Sequence, residues 1–449
     1  MKKLTLFITF AFLIQASVFS QPCLPSGIIF MTQAQIDNFQ TNNPNCTEIQ
    51  GNVSIGNGYP TDITNLNGLS VITNIDGYLN INNNGNLTDL TGLGALNSIG
   101  DYLLIEENAT LTNFSGLDAL TSIGSYFTIY NNTNLVSLTG LGSLTSIVGE
   151  LEIGYSPALT SLTGLESLTS TGNLEIAYVN SISDLTGLNA LTNVGGYMSI
   201  NSCNGLTSLT GLDSLKTITG YFHLFNNPLL TSLSGLEGLT SAGGISIQGI
   251  PITSLTPLNS LTSLTGGLII GGCDYLTTLS GLENITSING DLEIGGNQLL
   301  TSLSGIENID YNTIINLKIT YNPSLSYCEV QSICEYLADP GGTIWLFTNS
   351  SGCNSQAEVL AACTSSITED PENKGELLIF PNPASTKLYL QFKNSTSVFE
   401  VVIFNQIGKI VFSESKGIGL LDISRLQPGM YIIELISNNS KIREKLIIK

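Results

Sequence analysis

The chain has 449 residues, of which 11% are charged, 42% hydrophobic and 7% aromatic, with 46 Gly and a single Trp and His. The hydrophobic share excludes a mainly disordered chain, and the scarcity of charge, against a usual quarter, sets it apart from ordinary globular domains. One His leaves little room for acid–base or zinc chemistry, and a net charge of −21 argues against nucleic acid as a partner.

In chain order, residues 1–20 read as a signal peptide. Lys2 and Lys3 precede an apolar run, Leu4 to Ile14, that is too short to span a bilayer, and cleavage is expected near Ser20 and Gln21. Cys23 lacks the preceding Leu-x-Ala/Gly of a lipoprotein, so no lipid anchor is expected. No later run of about 20 apolar residues occurs, so the mature chain is expected to have no transmembrane segment. Export makes disulfides permissible. Residues 21–49 read as an N-terminal cap, with a short helix starting at Thr32 and a Cys23–Cys46 staple over the first coil.

Residues 50–327 are an internal repeat. Aligning the Gly or Pro of each (T/S/N)-(G/P)-(L/I) triplet, from Gly68 through Gly164 and Pro257 to Gly305, gives steps of 22 to 24 residues. Within each unit apolar residues alternate, as in Leu79/Ile81, Leu103/Ile105 and Leu151/Ile153, which is the period of a strand. A unit this short cannot bury its own apolar face, so units must stack as coils about 4.8 Å apart. The expected architecture is all-β: a right-handed parallel β-solenoid of about eleven 24-residue coils with capped ends, plus a small C-terminal antiparallel β-sandwich. Eight residues before each triplet Gly or Pro runs a column that includes Asn84, Asn108, Asn132, Ser156, Val179, Cys203, Asn227, Gly249, Cys273 and Asn297. It is expected to satisfy backbone groups at a buried corner. Cys203 and Cys273 then stand three coils apart, some 14 Å, too far for a disulfide.

These repeated YLNI, YLLI, YFTI and LEIG strands, followed by LTxLTGLxxLTSIxG, resemble receptor L-domain and leucine-rich-repeat-like β-solenoids, a kind common among surface proteins of Bacteroidetes-type bacteria. The resemblance implies architecture and no particular ligand.

Residues 328–366 form a Cys-rich C-terminal cap in which four cysteines allow three pairings. Resemblance to the C-terminal caps of leucine-rich repeats implies Cys328–Cys353 and Cys334–Cys363. A zinc site is the alternative, disfavoured because no His lies nearby and export favours disulfides. Charge changes at the linker, residues 367–375. Residues 21–368 hold 26 acidic residues against Lys216 and Lys318 alone, whereas residues 369–449 hold 9 acidic and 10 basic. Beyond it, residues 376–449 alternate as short strands between turn residues. They resemble the type A C-terminal sorting domain of the type IX secretion system through Pro381, Asn382, Pro383 and Ala384, Gly408, Leu426, Gly429, Met430 and Tyr431, and a basic ending at Lys445 and Lys449. The resemblance implies the type IX secretion machinery as a partner and a secreted or outer-surface location.

Function on the rod is sought where the repeats differ. The first outward column of the G-x-L-x-I strand holds Tyr78, Tyr102, Tyr126, Glu150, Asn173, Tyr197 and Tyr221. The second holds Thr128, Glu152, Glu175, Ser199, His223, Glu293 and Lys318, and the third Glu106, Tyr130, Asn201 and Phe225. Aromatic rings interleaved with carboxylates suit shallow recognition of a glycan or protein. Alternatively the tyrosines form a ladder that only stabilises neighbouring coils. The candidate binding residues are Tyr78, Tyr102, Tyr126, Tyr130, Tyr197, Tyr221, His223, Phe225, Glu152 and Glu175. A turn column, Asp118, Glu166, Asp213, Glu237, Glu283 and Glu307, reads either as a Ca²⁺ or basic-partner site or as a solvated edge that opposes aggregation, and its interruptions favour the edge. Catalysis of the kind seen in polysaccharide-active β-helix enzymes is not expected, since the rod has no Arg, two isolated Lys and one His. No metal and no cofactor are expected. The other classes weighed are a structural surface-layer component and ice or mineral binding through Thr/Ser arrays.

Overall fold

The computed structural model describes residues 22–365, 377–380, 384, 386–392, 399–405, 409–416, 419–437 and 440–449. The segments expected to be a signal peptide and a linker, and the motif residues Pro381, Asn382, Pro383 and Gly408, lie outside them. The described residues fall into two compact units, one up to Cys363 and one from Thr364 onward.

The first unit is a parallel β-solenoid. Its principal ladder has fourteen rungs, from Ile28–Phe30 and Val53–Ile55 through Leu79–Asn82 to Ile344–Phe347, each pairing in parallel with the next. Eleven coils were expected because only those carry the triplet. Two rungs before Leu79 and one in the C-terminal cap join the ladder without it, since backbone pairing needs no particular side chain. A second, shorter ladder, Glu48–Ile49, Asn74–Ile75, Ser98–Ile99 and onward, runs alongside. In places one strand serves both ladders, as Ser146–Gly154 does with a register shift between Ile147 and Glu150.

The inward alternation is complete. In one coil Leu135, Leu138, Leu141, Leu144, Ile147, Leu151 and Ile153 are all at most 2% exposed. Each contributes about 1.5–3 kcal/mol of burial, which is why the repeat tolerates so few charges. The triplet Gly makes the tight turn between coils. Gly116 has φ +109°, and a Cβ there would meet the Leu90 carbonyl oxygen of the preceding coil at 2.1 Å. Its amide donates to Asp118 at 3.0 Å, and the same bond recurs from Gly164 to Glu166 and from Gly281 to Glu283. The turn carboxylates therefore cap a backbone N–H, and Asn189 does the same for Gly187. Threonine hydroxyls bind coil to coil: Thr145 donates to the Thr121 carbonyl and Thr169 to that of Thr145.

The corner column is buried. The Asn108 amide nitrogen donates to the carbonyls of Ile81 (2.9 Å) and Glu106 (3.0 Å), while its oxygen accepts from the Asn84 amide at 3.0 Å. Asn132 repeats the pattern. Cys203 and Cys273 occupy the same site as free, buried thiols, pushed by burial up to about 11 and about 12. Each takes an amide N–H bond to the next asparagine, Asn227 or Asn297, at 2.9 Å. One assignment is corrected: Gly249 is not in this column. The register Ile247↔Ile270 makes Ile250, 1% exposed, the equivalent of Cys273. Gly249, with φ +65°, takes the left-handed position just before it. The 22-residue step to Pro257 had displaced the count by one.

The ends are stapled. Thr32 caps the helix Gln33–Asp37 through a reciprocal box with Gln35, and Cys23–Cys46 closes the N-terminal cap. At the other end the disulfides are Cys328–Cys353 and Cys334–Cys363, and the helices Gln331–Ala338 and Gln356–Ser365 cover the last coils. Tyr336 is fully buried there, its hydroxyl donating to the Ile315 carbonyl.

The second unit has a three-stranded antiparallel sheet (Leu377–Phe380, Lys387–Phe392, Gly419–Asp422) and a four-stranded one (Phe399–Asn405, Ile410–Lys416, Gly429–Ser437, Ser440–Ile448). Leu388, Leu390 and Leu421 from the first share one core with Val401, Ile403, Ile433 and Leu446 from the second.

Candidate functional site

The principal ladder lines its outward residues into columns, because in-register parallel strands place equivalent residues side by side. Tyr78, Tyr102 and Tyr126 form a continuous stack, with ring centroids 4.5 and 4.6 Å apart and interplanar angles of 14° and 7°. Burial in this stack, reinforced by Tyr126 and Tyr78, pushes the Tyr102 phenol up to about 12. Tyr126 is raised as well, by burial and by Asp101, yet the residue is 40% exposed.

Next along the face come three carboxylates. Glu150 follows Tyr126 in the first column, and Glu152 and Glu175 pair directly in the second. Burial, then Glu150 and Glu106, holds the Glu152 carboxyl above its ordinary range, against a hydrogen bond from Thr128. Burial, then Glu150 and Glu152, does the same for Glu175. Tyr197 donates to Glu150 at 2.5 Å from two coils away. On the opposite flank Tyr130, Tyr155 and Tyr178 make a second aromatic file, with centroids 4.9 and 4.5 Å apart. Tyr155 and Tyr178 are exposed, and sequence reasoning missed them. They sit at left-handed corners (φ +47° and +57°), one residue past the alternating pattern. The signal for them was the column immediately before the asparagines.

The remaining candidates are arranged differently. Tyr221, His223 and Phe225 lie in one rung, neighbouring centroids 5.3 Å apart. Tyr221 lies flat on the coil that follows: a Cβ on Gly244 would meet its ring at 2.4 Å, and its hydroxyl accepts from the Gly267 amide at 2.8 Å. Its hydroxyl is thus engaged within the rod. Burial lowers the pKa of His223, so the imidazole is neutral at neutral pH. The structure therefore brings Tyr78, Tyr102, Tyr126, Tyr130, Tyr197, Glu152 and Glu175 into one patch, and leaves Tyr221, His223 and Phe225 as a separate row.

Among the described residues no group of three or more His, Cys, Asp or Glu is placed to hold a metal ion. No described helix is long and apolar enough to cross a membrane.

In the second unit, Ala384 is 1% exposed and is clamped by two backbone bonds, from its own amide to the Ile447 carbonyl and from the Lys449 amide to its carbonyl, both 2.8 Å. Tyr431 donates to the Gln427 carbonyl. Two ends of the motif thus meet in one strand pairing.

Residues 378–449 match the family model described as secretion system C-terminal sorting domain, and residues 45–112 match that of the receptor L domain. No curated protein matches the chain. Fold and sorting domain together define a repeat protein of the surface or secreted class. More particularly, this is a disulfide-stapled β-solenoid delivered by type IX secretion to the cell surface or the extracellular space.

Proposed function

We propose that the solenoid is an adhesion or ligand-recognition module whose outward principal face binds a glycan or a protein. The observation that carries this reading is the patch at Tyr78, Tyr102 and Tyr126, Glu150, Glu152 and Glu175, and Tyr130, Tyr155 and Tyr178. Aromatic files flank half-buried carboxylates on a flat and regular surface. Rings of this kind give contact area at small entropic cost. The carboxyls of Glu152 and Glu175, raised by burial and by neighbouring carboxylates, are not accounted for by coil-to-coil stacking, which an uncharged column would serve better. The patch is read as binding rather than catalytic because its carboxylates lie on an open strand face and the rod's only imidazole stands three rungs away from Glu152. The Thr/Ser columns donate to carbonyls of adjacent coils, which disfavours a role in ordering ice or mineral.

The test is a glycan-array and surface-protein capture screen with the purified chain and its Tyr102→Ser/Tyr126→Ser variant. Tyr221 is left intact because its hydroxyl holds Gly267. Capture should fall at least about tenfold in the variant, equivalent to about 1.4 kcal/mol, with its thermal transition retained. Capture equal to the wild type refutes the reading, and silence of the wild type across both screens favours a purely structural surface-layer role.

A further inference from the structure

The far end of the same face holds a depression of about 330 Å³ lined by Asp291, Glu293, Asn316, Lys318 and Trp345. That volume lies at the small end of ligand pockets, the scale of a small ligand rather than of a folded partner. Glu293, Lys318 and Trp345 are register neighbours on the last three rungs. Lys318 pairs with Glu293 at 2.5 Å. Asn316 donates to Asp291 at 2.8 Å and accepts from the Thr343 amide at 2.9 Å, which fixes the floor of the depression. Trp345, the only tryptophan in the chain, leaves 42% of its surface exposed beside these groups. Phe347, two residues along the same rung, and Tyr321 meet edge to face at 5.7 Å and extend the aromatic ground outward.

We propose that this depression is a binding subsite for a neutral oligosaccharide, with one sugar ring stacked on the Trp345 indole and its hydroxyls bonded to Asp291, Glu293 and Lys318. A pyranose offers what this lining complements. One apolar C–H face meets a flat aromatic ring, and a rim of hydroxyls that each donate and accept meets two carboxylates as acceptors and an ammonium as donor. The charge balance selects against acidic sugars: Lys318 is already engaged by Glu293, and Asp291 would repel a uronate or sulfate. The inference rests on the reading of this face as a recognition surface, but on none of its tyrosines, so the two fail separately.

The single tryptophan makes the pocket its own reporter. The full chain is titrated with cellohexaose, xylohexaose, mannohexaose and chitohexaose, with hexagalacturonate and an oligolysine peptide as the acidic and peptide arms, and indole emission is selectively excited. A saturable blue shift with at least one neutral hexasaccharide is expected. By calorimetry, Trp345→Ala should weaken that sugar at least tenfold, Trp345→Phe less, and Asp291→Ala severalfold. Circular dichroism checks that the Trp345 variants remain folded. No response to any neutral hexasaccharide, a response to hexagalacturonate or oligolysine alone, or binding undiminished in Trp345→Ala would each overturn the assignment. Loss of capture in the tyrosine variant with Trp345→Ala unaffected would keep the face as a recognition surface and discard this subsite.

Discussion

Replacing Asn108 by Val isolates what the corner asparagines do for the rod. Val179 occupies the equivalent site fully buried, so the shape fits and the change removes hydrogen bonding rather than packing. The Asn108 side chain accepts from the Asn84 amide and donates to the carbonyls of Ile81 and Glu106. Its loss orphans one buried N–H, at about 1–3 kcal/mol, and leaves two carbonyls less well satisfied, about 1 kcal/mol more. The expected cost is about 3 kcal/mol, or an opening equilibrium raised on the order of a hundredfold. In a solenoid each coil contacts only its neighbours, so the effect should stay local. Hydrogen–deuterium exchange read by peptide mass should show protection lost about a hundredfold over residues 79–108 and unchanged over 268–325. Asn108→Cys should fall between, because the Cys203 thiol stands 3.6 Å from the Ile176 carbonyl in the same role. Equal protection of residues 79–108 in wild type and Asn108→Val would refute the view that the asparagine column holds the corner.

Two further predictions concern the carboxylates and the sorting domain. Glu152 and Glu175 have folded-state pKa values raised above the unfolded ones, so the native state binds more protons between the two values and stability falls as pH rises through that window. Glu152→Gln and Glu175→Gln should therefore melt higher than the wild type at pH 7, with the gain vanishing below about pH 4, the ordinary carboxylate range; a gain independent of pH would sink the argument. Ala384→Asp places a carboxylate where the native side chain is 1% exposed, between the Ile447 and Lys449 backbone bonds. The expected cost is at least several kcal/mol, which a small domain cannot absorb. Cell fractionation should find the variant retained in the periplasm, and normal surface delivery would contradict the role of this pairing in export.

What the sequence could determine was whatever repeats. The 24-residue period, the inward Leu and Ile columns, the left-handed demand at Gly116 and its equivalents, and the matching ladder of Asn84, Asn108 and Asn132 are all local necessities copied from coil to coil. Each copy restates the same steric and hydrogen-bonding requirement, so a single chain carries its own alignment. The motif around Ala384 was legible for a similar reason, being a short contiguous pattern of residue types.

Tertiary structure decided the rest where the copies stop agreeing. The rungs Ile28–Phe30, Val53–Ile55 and Ile344–Phe347 carry no triplet, so pairing alone recruits them and the ladder grows from eleven coils to fourteen rungs. Tyr155 and Tyr178 escape the alternation because they stand at left-handed corners, where backbone direction, not sequence period, sets the side chain. Tyr221 looked like one more ring in an open column, but the glycines at 244 and 267 on later coils let it lie down and become part of the wall. Trp345 belongs to a cap by sequence and to the outward principal face by register, a neighbour of Lys318 from 27 residues away. Parallel stacking brings such residues together through the backbone, so their meeting depends on the coil count between them and is written in no local pattern.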